Sequence, residues 1–238
     1  MRHALVPVLV AALLLVGGGL ALFAWLESRE EEAVAAARFE REERAEQARE
    51  ARERRWDDLG RASEAFVPGL LAGVRLGLPA DALRRARPSA TPPARTTSNE
   101  PRWEESLPNG AQVVYVFDRS GDRLARLQVL SQVPAEGVAP HLQAMRDRYG
   151  DPKLVMRCTE RSAAGVPTLR FVWGDERVVL QDIFLVHPSG VSVTLYLAPA
   201  DTLADSLNAG GCLPVRSREE LDQLGVATPE MLSPHVAP

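Results

Sequence analysis

Cysteine and histidine are scarce in this sequence. Its 238 residues include two cysteines and four histidines, and no histidine shares metal-ligand spacing with a cysteine or with another histidine. We therefore predict no metal site. The histidines are expected to be surface residues, the second of them exposed or half-buried on a helix; they are His3, His141, His187 and His235.

The motifs of common catalytic and nucleotide-binding sites are also missing. The chain has no G-x-S-x-G, no P-loop and no G-x-G-x-x-G. It is therefore predicted to hold no catalytic residue and no cofactor, and not to be an enzyme. One arrangement would point to an enzyme, a cleft that brings His141 or His187 within hydrogen-bond reach of a carboxylate.

Positive charge is not in excess. Lysine and arginine together number 28 against 32 acidic residues, which gives a formal net charge of −4. A nucleic-acid-binding protein collects phosphate contacts through a basic surface. Nucleic acid is therefore not expected as a partner.

What the sequence does contain is a long apolar run at its start, Ala4 to Leu26. About 23 residues pass without a charge, and at ~1.5 Å rise per residue such a helix spans the ~30 Å hydrocarbon core of a bilayer. We expect residues 1–26 to form an uncleaved membrane anchor. A cleaved secretory signal is the alternative, with Gly19-x-Ala21 as its cleavage site.

The charges around this run predict two opposite orientations of the chain in the membrane. More arginines follow the run than precede it, and counting them alone places the main domain in the cytoplasm. A short basic tail ahead of a long apolar run is instead typical of a signal-anchor. We expect a single-pass protein of the inner (cytoplasmic) membrane whose C-terminal domain is extracytoplasmic.

Residues 27–60 are predicted to form a charged helical stalk. From Glu27 to Leu59 there is neither glycine nor proline, and alanine, glutamate and arginine, all strong helix formers, dominate. Glu40 and Arg44 stand four residues apart in the favourable order. The apolar positions form a broken stripe, mostly of alanine, so a single helix and a homodimeric coiled coil both remain open.

The remaining chain predicts an α+β fold, with two helix-plus-antiparallel-sheet units after the anchor and stalk. The first unit, 61–135, has a helix after Pro79, a proline-rich loop over 88–101 and three strands; the second, 136–213, has a helix and four strands, and 214–238 is a tail. The second helix is indicated by apolar residues at spacings of four, three and four. The predicted strands cover 103–107, 111–117, 123–133, 153–158, 168–173, 177–186 and 191–197.

Cys158 and Cys212 are a candidate disulfide. Two cysteines with no third favour one bridge in an oxidising compartment. A loop of about 54 residues would be closed, stabilising the fold by roughly 4 kcal/mol in the chain-entropy account. A buried strand thiol and a separate loop thiol are the alternative.

One stretch resembles a known family. GVRLGLPADALRRARP looks like the helix entry of small outer-membrane lipoproteins of the SmpA/OmlA (BamE-like) type, and Gly77, Leu78 and Pro79 carry the match. The tandem helix-plus-sheet order is similar to that of the β-lactamase-inhibitor protein. The chain departs from the lipoprotein pattern because no cysteine that could carry a lipid stands directly after its apolar run. The resemblance implies a non-enzymatic, protein-binding envelope domain.

Together these patterns predict a membrane-anchored envelope protein of the scaffold or adaptor type. It would bind other envelope proteins through the α+β domain, with a homodimer through the stalk as a further expectation. The alternative is an extracytoplasmic module that binds a small ligand or a cell-wall component between the two sheets.

Overall fold

The fold was analysed in a computed structural model, which describes residues 29, 37–93, 100–159, 168–187 and 190–215. The chain divides into two compact units, Met1–Arg54 and Arg55–Pro238. The predicted anchor and most of the tail lie outside the described residues. Within those described, no helix is both long and apolar enough to cross a bilayer.

The described part of the first unit is helical. Helix α1 covers 37–63, and its side chains from 37 to 54 are all exposed. Two ion pairs lie along it, each between residues one turn apart. They join Arg44 to Glu40 at 2.7 Å and Arg54 to Glu50 at 3.4 Å. Exposed pairs of this kind contribute only about 0.2–0.5 kcal/mol each. The predicted helix is confirmed over these residues, while the homodimer stays a prediction.

The helix extends three residues past Gly60, near which the stalk was expected to end. Helix α1 continues to 63, and its residues from 55 onward belong to the second unit, whose core includes Leu59. The fully buried Ser63 hydroxyl donates to the Gly60 carbonyl at 2.9 Å and accepts from the Leu76 N–H at 3.0 Å. Leu59 belongs to the same core. The buried face of α1 thus begins inside the segment predicted to be stalk.

The second unit alternates helices and strands. After a 3₁₀ turn at Gly69–Leu71, the elements are α2 Ala80–Ala86, β1 Arg102–Ser106, β2 Gln112–Phe117, β3 Leu124–Val133, α3 Val138–Tyr149, β4 Leu154–Cys158, β5 Thr168–Gly174, β6 Val178–His187, β7 Gly190–Pro199, α4 Leu203–Ala209 and β8 Cys212–Pro214. All seven predicted strands and both predicted helices are confirmed. The sequence patterns did not predict α4 and β8.

The eight strands form one antiparallel sheet. Their order is β1-β2-β3-β7-β6-β5-β4-β8. Strand β3 pairs with β7 from Leu127–Leu197 to Val133–Val191, which joins the two predicted units into one layer. The alternative function assumed a ligand site between two sheets, but the described strands form a single sheet and leave no such position. The α+β class is confirmed.

The core lies on one face of this sheet. Leu83 of α2 and Leu142 of α3 are fully buried and belong to one hydrophobic cluster with inward residues of the strands, such as Tyr115 and Phe171. Because these strand residues alternate with outward ones, both helices cover the same face. The opposite face is called the outer face.

Two glycines with positive φ differ in the space around them. Gly77 (φ +74°) donates its N–H to the Leu124 carbonyl at 2.7 Å, and a Cβ there would lie 2.6 Å from the Trp56 carbonyl oxygen. Gly73 (φ +84°) has nothing within 4 Å of its Cβ position. Both need the left-handed conformation, but only Gly77 also needs the space.

We predict that Gly77→Ala destabilises the fold more than Gly73→Ala. The left-handed conformation costs each alanine roughly 1–2 kcal/mol, and the clash with α1 adds about 1–3 kcal/mol at position 77. Urea unfolding of the two variants, followed by tryptophan fluorescence, measures the difference. Equal losses would contradict the close approach of Gly77 to α1.

Candidate functional site

The structure places a histidine against a buried carboxylate. His141 Nε2 on α3 lies 2.8 Å from Asp182 Oδ2 on β6. The histidine side chain is 23% exposed, whereas the aspartate side chain is 0% exposed. The ring also packs edge-on against Phe184, with centroids 5.8 Å apart. A histidine of a cleft within hydrogen-bond reach of a carboxylate is the arrangement that, from the sequence, would point to an enzyme.

Asp182 holds an unusual position for a charged residue. It lies on the core face of β6, on the same side of the strand as the buried Leu180 and Phe184, which are two residues before and after it. Among the described residues its Oδ1 atom is buried without a hydrogen-bond partner. His141 therefore provides the hydrogen bond that partly compensates this carboxyl group for its loss of water.

Burial and the mutual hydrogen bond shift the pKa of both groups. Burial raises the pKa of Asp182, and its contact with His141 offsets only part of the rise. Burial alone would lower the pKa of His141, but the hydrogen bond and charge of Asp182 outweigh it and raise the pKa above 6.5. Both groups hold their proton more tightly in the folded chain than in the unfolded one.

His141 borders a cleft of about 760 Å³ at the ends of β3 and β7. Apart from the imidazole, its polar side chains are hydroxyls and amides, and none is charged. They are Asn109, Gln112, Ser131, Gln132, Ser192 and Thr194. Sequence reasoning assigned no role to any of them.

A second buried carboxylate has a complete set of partners. Glu105 on β1 is 7% exposed and receives two hydrogen bonds from Arg87, at 2.9 and 2.8 Å. Tyr115 Oη donates to it at 2.8 Å, and the Ser89 hydroxyl donates as well. Burial alone would raise the pKa of Glu105, but these hydrogen bonds outweigh it and lower the pKa. The network fastens the end of α2 to β1 and β2, which is a structural role.

The two cysteines lie opposite each other in the sheet. Cys158 on β4 is the register partner of Cys212 on β8, and the structure joins them by a disulfide. Cys158 is fully buried. The bond ties the edge strand β8 to β4.

The other candidate histidines contribute nothing that can be assigned. His3, His235 and the side chain of His187 lie outside the described residues. Within the described ranges, no group of three or more histidine, cysteine or acidic side chains could hold a metal ion.

The outer face of the sheet presents a patch of mixed polarity, bordered by Arg126 of β3 and Arg170 of β5. Its middle is formed by half-buried side chains of β2, β3, β7 and β6 that point away from α2 and α3. They are Val114, Gln128, Tyr196 and Ile183. Helix α4 lies beside another part of this face, where Arg170 donates to Ser206 Oγ at 2.9 Å. Aromatic and arginine side chains, such as Tyr196 with Arg126, are enriched at protein interfaces.

The raised pKa values of His141 and Asp182 predict how stability depends on pH. Because the folded state binds these protons more tightly, the pair stabilises the fold at low pH. The contribution of Asp182 falls as pH rises above 3.8, and that of His141 falls as pH rises through its raised pKa above 6.5. The slope is at most about 1.4 kcal/mol per pH unit for one proton.

We expect Asp182→Asn to abolish the fall in stability above pH 6.5, since the charge that raises the pKa of His141 is gone. Urea unfolding between pH 5.5 and 8.5 measures it. The matched control is Asp147→Asn on α3, whose carboxylate is exposed and accepts from Gln143. If the free energy of unfolding falls with pH equally in both variants and in the unmodified chain, the His141–Asp182 pair does not cause that fall.

Comparison of the chain with family models, with curated proteins and with solved structures gives no match. The resemblance to SmpA/OmlA lipoproteins and to the β-lactamase-inhibitor protein therefore rests on the sequence alone and stays a prediction.

Proposed function

We propose that the chain is a membrane-anchored envelope protein that binds another envelope protein through the outer face of its α+β unit. In this proposal residues 1–26 are a transmembrane helix that continues into the stalk. The chain acts as a scaffold or adaptor and not as an enzyme, because within the described residues His141 is hydrogen-bonded only to Asp182 and no hydroxyl or thiol is placed against it as a nucleophile. The observation that carries the proposal is the outer face, whose middle is half-buried and mixed in polarity, with Tyr196 beside Gln128 and in contact with Arg126.

The chemistry of the face defines the partner. Its middle strands place an aromatic side chain, Tyr196, between the amides of Gln128 and Gln181, on the same face as the aliphatic Ile183. Charged side chains border this middle: Arg126 of β3 interacts with Tyr196 and pairs with Glu100, and at the β1 edge Arg102 pairs with Glu104 at 3.1 Å. A protein surface with a central apolar patch and a polar rim fits this arrangement, as in ordinary transient complexes.

The proposed location outside the cytoplasm is supported by the bridge between Cys158 and Cys212, because disulfides persist in oxidising compartments. We expect a periplasm-active reporter to be active when fused after Arg54 and after Pro238. In intact cells, both thiols should react with a maleimide only after reduction. Inactive fusions with thiols that react directly would place the domain in the cytoplasm and overturn this part of the proposal.

The binding proposal predicts contacts from one face of the sheet. A photo-crosslinking amino acid at Tyr196 or Gln128 should yield a discrete crosslinked protein in living cells. The same group at the exposed Ala144 of α3 should not. Tyr196→Ala should weaken the recovered complex about thirtyfold, since a central aromatic contact is typically worth about 2 kcal/mol.

Two results would count against this function. Equal crosslinking from Ala144 and Tyr196 would show that the outer face is not the contact surface. Absence of crosslinks from every outer-face position, with the chain present in the membrane at normal levels, would remove the adaptor function itself.

A further inference from the structure

Helix α4 is weakly anchored by packing. It covers seven residues, Leu203–Ala209, and none of these described residues is buried. A helix this short is unstable in water unless other contacts hold it. A side-chain hydrogen bond joins it to the outer face of the sheet, from Arg170 to Ser206 Oγ at 2.9 Å. The position of α4 therefore depends strongly on how its two ends are held.

The two ends of α4 are held in different ways. Before the helix, the Ala200 N–H donates to the Arg177 carbonyl at 2.8 Å. After it, two glycines lead directly into β8, where Cys212 is bonded to Cys158 of β4. Strand β8 has only three residues, and Pro214 among them has no N–H to donate. The disulfide is therefore the main constraint on the C-terminal end of α4.

Val215 is a separate anchor that does not need the disulfide. Its side chain is 2% exposed in the core, and its N–H donates to the Val155 carbonyl at 2.9 Å. The stretch that depends on the disulfide therefore runs from α4 to Leu213, whose side chain is 59% exposed. The core stays closed when that stretch moves.

Beside α4 and the disulfide, the outer face buries polar side chains that are only partly hydrogen-bonded. Gln181 and Thr168 are 0% exposed, and their Nε2 and Oγ1 atoms have no partner among the described residues. Gln181 Oε1 accepts from Arg170 at 3.1 Å, through the same nitrogen that donates to Ser206. Thr168 is the register partner of Cys158. Because buried unpaired polar atoms oppose folding, hydration of these side chains favours an open position of α4.

The same side chains border the surface that we propose binds the partner. Gln181 is the register partner of Tyr196 on β7. A series of neighbours thus runs from Ser206 of α4 through Arg170 and Gln181 to Tyr196. When α4 moves, Arg170 loses its Ser206 acceptor and water reaches both buried side chains. The support on one side of Tyr196 therefore changes with the position of α4.

We propose that the Cys158–Cys212 disulfide is a redox-controlled latch on α4. The closed latch holds the helix against Arg170 and keeps the outer face in its binding form. The open latch releases the chain from α4 to Leu213 and weakens binding around Tyr196. The effect on binding rests on the outer-face function proposed above, whereas the latch itself does not.

The reductant that opens the latch is a dithiol. Cys158 is 0% exposed and Cys212 is half-buried, so a thiolate of the dithiol attacks the Cys212 sulfur. Cys158 leaves as a thiolate and takes up a proton. The second thiolate of the dithiol then attacks the mixed disulfide, which frees Cys212 and leaves the dithiol oxidised to a disulfide. Two electrons pass from the dithiol to the protein disulfide.

The first test measures hydrogen exchange of the purified full chain in detergent by mass spectrometry, with and without dithiothreitol. Reduction should speed exchange of the amides from Leu203 to Leu213 about thirtyfold, the low end of what a native disulfide contributes. Amides of β3, such as those of Leu127 and Val129, should exchange as before. Alkylation of both thiols confirms that the bond is open.

Two variants make the same comparison without a reductant. Cys212→Ser opens the latch and leaves the buried Cys158 in place, so it should reproduce the faster exchange of α4. Leu213→Ser is the matched control, because it changes the next residue, which is exposed, and keeps the disulfide. It should exchange like the unmodified chain.

The second test measures the effect on binding in living cells. The photo-crosslinking amino acid is placed at Gln128, and Cys212→Ser is compared with Leu213→Ser. The crosslinked product should fall about fivefold in Cys212→Ser, the usual effect of one lost hydrogen bond. Leu213→Ser should keep the full yield.

Three results would overturn the latch. These are a disulfide that dithiothreitol cannot open in the folded chain, reduction without faster exchange in α4, and faster exchange across all eight strands, which would identify a purely structural bond. Release of α4 with unchanged crosslinking would overturn its effect on binding. Absence of crosslinks from both variants and from the unmodified chain would instead remove the outer-face function, while hydrogen exchange still decides the latch.

Discussion

The pairing of β3 with β7 is the interaction on which the second unit depends. Seven residue pairs, Leu127–Leu197 to Val133–Val191, connect the first three strands to the last five. Through this seam the apolar faces of the two sets contribute to one hydrophobic cluster. With it, α2, α3 and the end of α1 cover one continuous face, and the outer face extends across both halves of the chain.

Two buried carboxylates on this sheet show how differently the same chemical group can be used. Glu105 is saturated by Arg87, Ser89 and Tyr115, and the lowered pKa marks a charge that the fold supports. Asp182 has one partner and a raised pKa. The first arrangement stabilises a junction between elements. The second opposes folding but orients a partly exposed ring. Binding sites commonly differ from structural networks in this way.

Sequence patterns predicted the local elements well because these depend on local spacing. The 4-3-4 spacing from Val138 to Tyr149 sufficed for α3, and glycine turns bounded most strands. The single sheet could not be predicted in this way, since β3 and β7 are far apart in the chain. Asp182 was missed for another reason. Strand β6 has apolar residues on both faces, with Val179 and Ile183 on one and Leu180 and Phe184 on the other, so alternation does not tell which face is inward.

The edges of the sheet limit how copies of this unit can associate. Strand β8 is only three residues long, includes Pro214 and is covalently fastened through Cys212. At the other edge, β1 carries charged side chains, and its Glu104 already exchanges backbone hydrogen bonds with Thr91. Short, charged or occupied edges resist the edge-to-edge pairing that leads to aggregation. Reduction of the disulfide would release β8 and leave the longer edge of β4 available to other chains, so solubility of this unit should depend on the redox state of its surroundings.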